Sequence, residues 1–163
     1  DVGFNGMTFM TTDIRLIPKD KHPHMVVSLH ACDIATDIVL ETAISLGAEV
    51  ILSTPCCQRY MRDKIKNAEL SFVTKHPHLR TKINEVLTDA LRTLKLNASG
   101  YKAEAVELTD PDDTPKNTLI RAFRQQNFTF DSKKAQELRK QYEQTVAFLL
   151  GEGAEYAPEE VLP

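Results

Sequence analysis

Two short polar stretches contain most of the residues that could perform chemistry in this 163-residue chain. One, LHACD, follows an apolar run and combines a histidine, a thiol and a carboxylate, and the other, TPCCQ, follows a second apolar run. The residues of interest are His30, Cys32, Asp33, Asp37, Cys56 and Cys57. Side chains of these types orient substrates, transfer protons, act as nucleophiles or ligate soft metal ions.

The surrounding pattern predicts a strand–helix–strand unit that positions both stretches. Apolar runs at 25–29 and 48–52 have strand composition, and 34–46 has helical spacing that ends at Gly47. A link of this length is typical of a parallel crossover. Because parallel strands end at one sheet edge, where open α/β sheets bind ligands, both stretches should border one cleft. Asp33 is expected to cap the helix.

Further elements are predicted on either side of this unit. A strand over 7–12 and a turn at Asp13 should precede it. It should be followed by a polar helix over 58–67, a long helix over 79–96, strands over 101–108 and 118–123, a helix from Ser132 to about Leu150, and a frayed acidic tail. The turn-rich link between the last two strands favours an antiparallel pair. These elements predict a mixed α/β sheet with a reversed strand at one edge.

Composition excludes several classes of protein. The net charge is −3, so the chain is no polycation, and no apolar run approaches the roughly 18 residues of a membrane span. Three cysteines, two of them adjacent, do not resemble a secreted disulfide framework. Free thiols, a cytoplasmic location and no membrane partner are therefore predicted. Neither G-x-G-x-x-G nor a P-loop motif is present.

The residues alone leave the chemistry of the cysteines open. A thiol enzyme could use one of them with His30 as its base, and zinc could bind the cysteines together with His30. Zinc is disfavoured because there is no C-x-x-C pair and because the side chains of adjacent cysteines are expected to diverge. No metal site is therefore predicted, and the cysteines are interpreted as part of a pocket wall.

Two further features admit more than one interpretation. Asp13 follows a predicted strand, where a carboxylate can bind an adenine amino group or a ribose hydroxyl, or can be a plain turn residue. The segment 59–82 has seven cationic and two acidic side chains, a local charge of +5. Such a segment could guide a phosphate backbone or form a solvated face, so a non-catalytic RNA-binding module remains an alternative.

Three separated motifs resemble one enzyme family. LHACDIATD at 29–37, TPCCQ at 54–58 and TPKNTLIRAF at 114–123 are similar to class I S-adenosylmethionine-dependent methyltransferases. The most similar group has a histidine–cysteine motif after the fourth strand and paired cysteines after the fifth, and its relatives include tRNA 2′-O-methyltransferases. The resemblance covers about residues 5–125. It implies a partial Rossmann-like sheet, strands 3 to 7 of the order 3-2-1-4-5-7-6, with the last strand antiparallel and helices on both faces.

The resemblance also implies roles for individual residues. S-adenosylmethionine is the implied cofactor and RNA the implied acceptor, with Asp33 and His30 as catalytic residues. The implied cofactor-binding residues are Asp13, Ile14, His30, Ala31 and Cys32. The implied substrate-binding residues are Asp37, Pro55, Cys56, Cys57, Gln58 and Arg59.

The first two strands of that family, with their glycine-rich loop, have no counterpart in this sequence. Residues 1–126 are therefore expected to form the C-terminal portion of a methyltransferase domain, and 127–163 a helix and acidic tail. Such a chain should bind the cofactor weakly or not at all and be inactive alone. Its fourth strand would have a bare edge, so residues 1–17 should be displaced, or pair with that strand or with a second copy in a homo-oligomer.

Overall fold

A mixed α/β sheet forms the centre of the protein, which a computed structural model describes at residue 3 and over 5–110 and 116–158. The strands are β1 (Met25–Leu29), β2 (Val50–Thr54), β3 (Tyr101–Glu107) and β4 (Thr118–Arg124). The helices are α1 (Ile34–Ser45), α2 (Ser71–Thr74), α3 (Pro77–Ala98) and α4 (Lys133–Leu150), with 3-10 turns at Ile14–Leu16 and Ala68–Leu70.

The strand order is β1-β2-β4-β3. β1 and β2 are parallel, with Leu29 opposite Thr54, and β4 runs antiparallel to both of its neighbours. α1 connects the parallel pair, and Gly47 follows it with a φ of +67°, which glycine adopts without a steric penalty. The predicted crossover and the presence of one reversed strand are confirmed, but that strand, β4, lies between β2 and β3 and not at the edge of the sheet. The order equals 4-5-7-6 of a Rossmann-like methyltransferase sheet. β2 lies two residues later than predicted.

Two clusters of buried side chains hold the helices in place. The first lies between one face of the sheet and helices α1 and α3, and comprises Leu40, Ala43, Ala48, Ile51, Leu96, Tyr101, Ile120 and Ala122. The second lies between α3, α4 and neighbouring loops, and comprises Met61, Leu91, Val146, Leu149, Leu150 and Tyr156. Pro77 begins α3, where its missing N–H costs nothing, and Ser132 caps α4 by accepting the N–H of Ala135.

Among the described residues, helices cover only one face of the sheet, so the expected cover on both faces is not seen. On the opposite face Met25, Val27 and Leu29 of β1 are 52%, 54% and 66% exposed. Further along that face, Glu104 and Arg121 form an exposed ion pair between β3 and β4. No described helix has the length and apolar composition that crossing a membrane requires.

The strand predicted over 7–12 is wrong. These residues are irregular and exposed, and in the described part of the chain β1 pairs only with β2. An isolated strand leaves its backbone groups without ladder partners, so composition alone does not make this segment extended. Pairing of residues 5–17 with β1 of the same chain is also excluded for the described residues. Pairing with a second copy stays a prediction.

The polar helix predicted over 58–67 is also wrong, because the backbone of this segment bonds to distant elements. The N–H of Tyr60 donates to Asp33 Oδ1 at 3.0 Å, and the N–H of Lys66 donates to the carbonyl of Leu149 at 2.8 Å. These tertiary hydrogen bonds replace the ones that a helix would make within itself.

The acidic tail is not frayed over residues 151–158. Tyr156 and Pro158 are buried, and the hydroxyl of Tyr156 donates to Asp37 Oδ1 at 2.9 Å. One buried aromatic ring is enough to dock a short segment of this kind, since burying such a side chain contributes about 1.5–3 kcal/mol. The remaining tail, 159–163, lies outside the described residues.

Candidate active site

The turn between β1 and α1 has an unusual backbone. His30 has a φ of +57° and Asp33 a φ of +53° with ψ −116°, and no other non-glycine residue in the described ranges has a positive φ. Such conformations cost about 1–3 kcal/mol and persist only where neighbouring contacts impose them. One such contact is the buried hydroxyl of Thr36, which donates to the carbonyl of Ala31 at 2.6 Å. Both predicted catalytic residues therefore lie on strained backbone.

Asp33 links the two polar stretches and does not cap α1 with its side chain, so the predicted cap is wrong. It lies at the N-cap position, but its carboxylate accepts the N–H of Tyr60. A capping residue needs an extended backbone, and the positive φ of Asp33 directs its side chain elsewhere. The backbone carbonyl of Asp33 accepts a hydrogen bond from Arg92 Nη2 at 2.8 Å. The two stretches are thus adjacent, as the parallel crossover predicts.

The three cysteines converge at this shared edge of the sheet. Cys56 Sγ lies 3.9 Å from Cys32 Sγ and 3.9 Å from Cys57 Sγ, and all three sulfurs lie within 4.8 Å of one another. All three are free thiols, as predicted. The expectation that the adjacent side chains diverge is wrong, because the chain after β2 is irregular and lacks the alternation of a strand.

Cys32 and Cys57 differ in acidity, because their pKa values are shifted in opposite directions. Hydrogen bonding with Cys57 and Cys56 raises the pKa of Cys32 to about 11. The pKa of Cys57 is lowered by the hydrogen bond that Cys57 makes with Cys32, and the positive charges of Arg59 and Lys116 lower it further. Of these two thiols, Cys57 is therefore the one that loses its proton first. The thiolate is the form in which cysteine attacks an electrophile or binds a metal ion.

A buried ionic network lies next to the cysteines and was not predicted. Arg92 donates to both oxygens of Asp37, at 3.0 and 2.6 Å, and to Asp89 Oδ1 at 3.0 Å. Gln58 Nε2 donates to Asp89 Oδ2 at 3.0 Å, and Tyr156 completes the network through Asp37. Burial raises the pKa of Asp89. Burial alone would lower the pKa of Arg92, but its hydrogen bonds and ion pair with Asp37 raise it.

One local signal could have indicated this network. Asp89 and Arg92 lie three residues apart on the long helix predicted over 79–96, and that spacing places an acid and a base next to each other. Both are buried, where a charged side chain needs a partner. Nothing in the spacing indicates that Asp37 and Tyr156 complete the set, since they are separated from Arg92 by 55 and 64 residues of sequence.

A cleft of about 220 Å³ opens beside the paired cysteines. Its other lining residues are Gln58, Arg59, Arg62, Thr81, Asn84, Glu85 and Lys116. The amide orientations are fixed, because Gln58 donates to Asp89 and Asn84 Nδ2 donates to the carbonyl of Arg62 at 3.1 Å. Their buried oxygens, Gln58 Oε1 and Asn84 Oδ1, accept no hydrogen bond from the described residues. Buried acceptors beside cations fit a ligand with N–H donors and negative charge.

A larger cleft, of about 930 Å³, lies along α4 and residues 152–157. Its lining contains no residue of the turns after β1 and β2 and none of the residues singled out for chemistry. Ligand sites of open α/β sheets lie at the strand ends, so the smaller cleft is the better candidate for a substrate site.

The residues predicted to bind the cofactor are only loosely grouped. His30 is exposed and makes no hydrogen bond to a described residue, and Ile14 belongs to a 3-10 turn that packs against α1. Asp13 is exposed, and Arg15 Nη2 lies 2.6 Å from its Oδ2. The hydrogen bonds from Arg15 lower the pKa of Asp13 to about 2. Contact of these residues with a cofactor stays a prediction.

The residues predicted to bind a substrate divide into two groups. Asp37 and Pro55 are buried, and Gln58 is 7% exposed, so Asp37 and Gln58 serve the ionic network in this structure. Arg59 is exposed at the cleft with the paired cysteines. A substrate could therefore reach Arg59 and the paired cysteines, which line the cleft, directly. Contact of a substrate with Asp37 stays a prediction that the geometry does not favour.

Comparison with known proteins gives one match. Residues 1–64 match a family model described as a methyltransferase domain. No curated protein and no solved structure matches the chain significantly. The matched region contains β1, α1, β2, the strained turn and all three cysteines. Over this region the chain is similar to a methyltransferase domain, which agrees with its partial Rossmann-like sheet.

Proposed function

We propose that the edge formed by the turns after β1 and β2 belongs to an S-adenosylmethionine-dependent methyltransferase site. The observation that carries the proposal is the 3.0 Å hydrogen bond from the N–H of Tyr60 to Asp33 Oδ1. It joins the two motif turns at the carboxyl edge of the parallel strands, inside the region that is similar to a methyltransferase domain. Ligands of open α/β sheets bind at such an edge.

The residues predicted to bind the cofactor fit it in chemical type. Asp13 is exposed and ionised at neutral pH, so it can accept an adenine N–H, and the turn 30–33 borders the open side of the edge. The sequence has no glycine-rich loop to cradle the rest of the molecule, so binding should be weak. S-adenosylmethionine would supply an electrophilic methyl group.

The chain's own contribution to methyl transfer would be orientation and proton removal. Asp33 Oδ1 is occupied by Tyr60, so Oδ2 is the oxygen that can face an acceptor hydroxyl or ring N–H and take its proton. His30, on the same strained turn, is the second candidate base. A carboxylate fixed through a backbone hydrogen bond would help to orient the acceptor in line with the methyl group and the departing sulfur of the cofactor, which is the main requirement of this displacement.

RNA is the acceptor class that the surroundings support best. The cationic segment 59–82 begins at the cleft, where Arg59 and Arg62 could bind phosphate. The buried acceptors Gln58 Oε1 and Asn84 Oδ1 could receive the exocyclic amino group of a base.

Titration of the ¹⁵N-labelled chain with S-adenosylhomocysteine tests cofactor binding. We expect amide shifts at residues 13, 14 and 30–32 with millimolar affinity, and weaker binding by Asp13→Ala. Asp20→Ala, a substitution of another exposed acid in the same loop, is the matched control. Shifts elsewhere, or none at millimolar ligand, would refute the cofactor site, and micromolar affinity would refute the expectation of weak binding.

RNA binding is tested separately by filter binding over a range of salt concentrations. Replacing Arg59 and Arg62 with Ala should reduce the magnitude of the salt slope by about 0.7 for each phosphate that is no longer neutralised. Replacing Lys133 and Lys134 with Ala removes the same charge from exposed residues of α4 and should change the salt slope little. Equal effects would show that only net charge matters. RNA binding without any response to S-adenosylhomocysteine would favour a non-catalytic RNA-binding module.

A further inference from the structure

We propose that Cys32, Cys56 and Cys57 form a binding site for one Zn²⁺ ion that leaves a fourth coordination position open. Tetrahedral zinc with Zn–S bonds of about 2.3 Å places two thiolate sulfurs about 3.8 Å apart. Two of the three sulfur pairs here are 3.9 Å apart, and the third lies within 4.8 Å. The sulfurs thus already stand near the spacing that the ion requires. This inference does not rest on the proposed methyltransferase function.

The scaffold holds the sulfurs without help from a metal ion. Cys32 and Cys56 follow paired residues of adjacent parallel strands, since Leu29 lies opposite Thr54. The bond between Asp33 and Tyr60 fixes the turn that precedes α1 against the segment after β2. Ligands that are positioned by secondary structure and by hydrogen bonds pay little ordering cost when the ion binds.

Charge and exposure favour a soft divalent ion. Three thiolates and one Zn²⁺ carry a net charge of −1, and Arg59, which lines the same cleft as Cys57, is a cation that can offset it. An all-sulfur set selects zinc over Mg²⁺ or Ca²⁺, which prefer oxygen ligands. Binding releases the protons of those cysteines that were still thiols.

The open position would distinguish this site from a structural zinc. Structural zinc sites are usually closed by four protein ligands, whereas three ligands leave room for water or a substrate atom. Cys32 is exposed, so that position can face solvent at the sheet edge beside the cleft. A nucleophile bound there would lose its proton more readily, because the ion lowers its pKa.

Metal titration of the reduced, apo chain tests the site. Co²⁺ should bind with one equivalent and give the intense visible bands of tetrahedral cobalt together with thiolate-to-cobalt charge transfer in the near ultraviolet. Zn²⁺ should displace it, with proton release. Weak octahedral bands, or no saturable binding, would refute the proposal. So would a reduced chain that binds no metal but readily forms a disulfide between Cys32 and Cys56, and a site that accepts Cu⁺ but neither Co²⁺ nor Zn²⁺.

Single substitutions assign the ligands. Cys32→Ser, Cys56→Ser and Cys57→Ser should each weaken Zn²⁺ binding by about 100-fold or more, since losing even a hydrogen-bond partner of a ligand costs about 10–100-fold. A matched control keeps the number of thiols constant: Cys32→Ser combined with Ser45→Cys, which places a thiol on the exposed C-terminal end of α1. It should bind as weakly as Cys32→Ser alone. Restored affinity would mean that any exposed thiol suffices. Circular dichroism verifies folding, and Cys32→Ser is the variant least prone to a folding defect because Cys32 is exposed.

Discussion

Arg92 of α3 binds Asp37 of α1 through two side-by-side hydrogen bonds, Nε to Oδ1 at 3.0 Å and Nη2 to Oδ2 at 2.6 Å. The two side chains are 1% and 5% exposed. The same guanidinium donates to the backbone carbonyl of Asp33, which belongs to the strained turn. One buried cation, Arg92, therefore binds both α1 and the strained turn of the candidate site. A charge-assisted bidentate pair of this kind also fixes the orientation of the two side chains.

Removing this cation should be costly. We expect Arg92→Ala to lower the free energy of unfolding by about 3–5 kcal/mol, because Asp37 and Asp89 would remain buried without their partner. Urea unfolding measures the loss. Arg121→Ala is the control, since it breaks a half-exposed pair with Glu104 that should contribute about 0–1 kcal/mol. Similar losses in the two variants would contradict a structural role for the network.

The docking of residues 151–158 should depend on one hydroxyl group. Tyr156→Phe removes the donor to Asp37 but keeps the ring, and should cost about 1–3 kcal/mol because a buried charged acceptor loses a hydrogen bond. Tyr156→Ala should in addition make 152–158 susceptible to limited proteolysis. Wild-type stability in the Phe variant, or cleavage of the wild-type segment at the same rate, would indicate that the tail is not docked.

Alanine substitutions at two glycines should distinguish the stability cost of backbone strain from that of a steric clash. Gly100 (φ +92°) and Gly151 (φ +102°) both have left-handed backbones, but a Cβ on Gly100 would lie 2.9 Å from Phe128 Cδ1, whereas one on Gly151 would meet nothing within 4 Å. Gly151→Ala should therefore cost about 1–3 kcal/mol from the backbone alone, because a φ of +102° with a ψ of +158° is a conformation that almost only glycine adopts. Gly100→Ala should cost about 1–3 kcal/mol more, because its methyl group would overpack against the ring. Equal losses in thermal unfolding would show that Phe128 moves aside freely.

The pKa values of two aspartates, Asp13 and Asp89, should be shifted in opposite directions from the ordinary value of 3.8. Carboxyl ¹³C NMR should place the pKa of Asp13 at about 2 and that of Asp89 above 3.8, and Arg15→Ala should return Asp13 towards 3.8. The stability that Asp13 contributes is present above pH 3.8 and is lost as pH falls towards 2. Asp89 has the opposite sign: its contribution is greatest below pH 3.8 and is lost as pH rises through its folded-state pKa. The reverse order of titration would contradict the described burial.

The free edge of β1 should promote self-association. Within the described residues β1 has one neighbour, and Val27 on its uncovered face is 54% exposed. Sedimentation velocity should detect a concentration-dependent homo-oligomer, and Val27→Lys should shift it towards monomer. Phe148→Lys introduces the same charge at an apolar residue of α4 that is 48% exposed, and should leave association unchanged. A monomer at every concentration would refute this interface.

Local pattern was sufficient for much of this fold. The crossover unit, the long helix α3, the helix that Ser132 begins and the antiparallel strand pair all follow from apolar periodicity, capping and turn composition, which act between near neighbours in the sequence. The same reasoning predicted that the turns after β1 and β2 share an edge, because parallel strands end together. The motifs in those turns also predicted a methyltransferase, and residues 1–64 are similar to a methyltransferase domain.

Tertiary structure decided whatever depended on distant partners. Residues 7–12 have strand composition, but no strand in the described part of the chain pairs with them. Segment 58–67 forms only turns within itself, and its N–H groups at Tyr60 and Lys66 donate to Asp33 and Leu149. The 3.9 Å spacing of the thiols and the pairing of Arg92 with Asp37 likewise arise only when separate segments pack. Sequence spacing specifies which side a residue faces within its own element. It does not specify which side chain from another element fills the same volume or satisfies the same charge, because that is determined by packing.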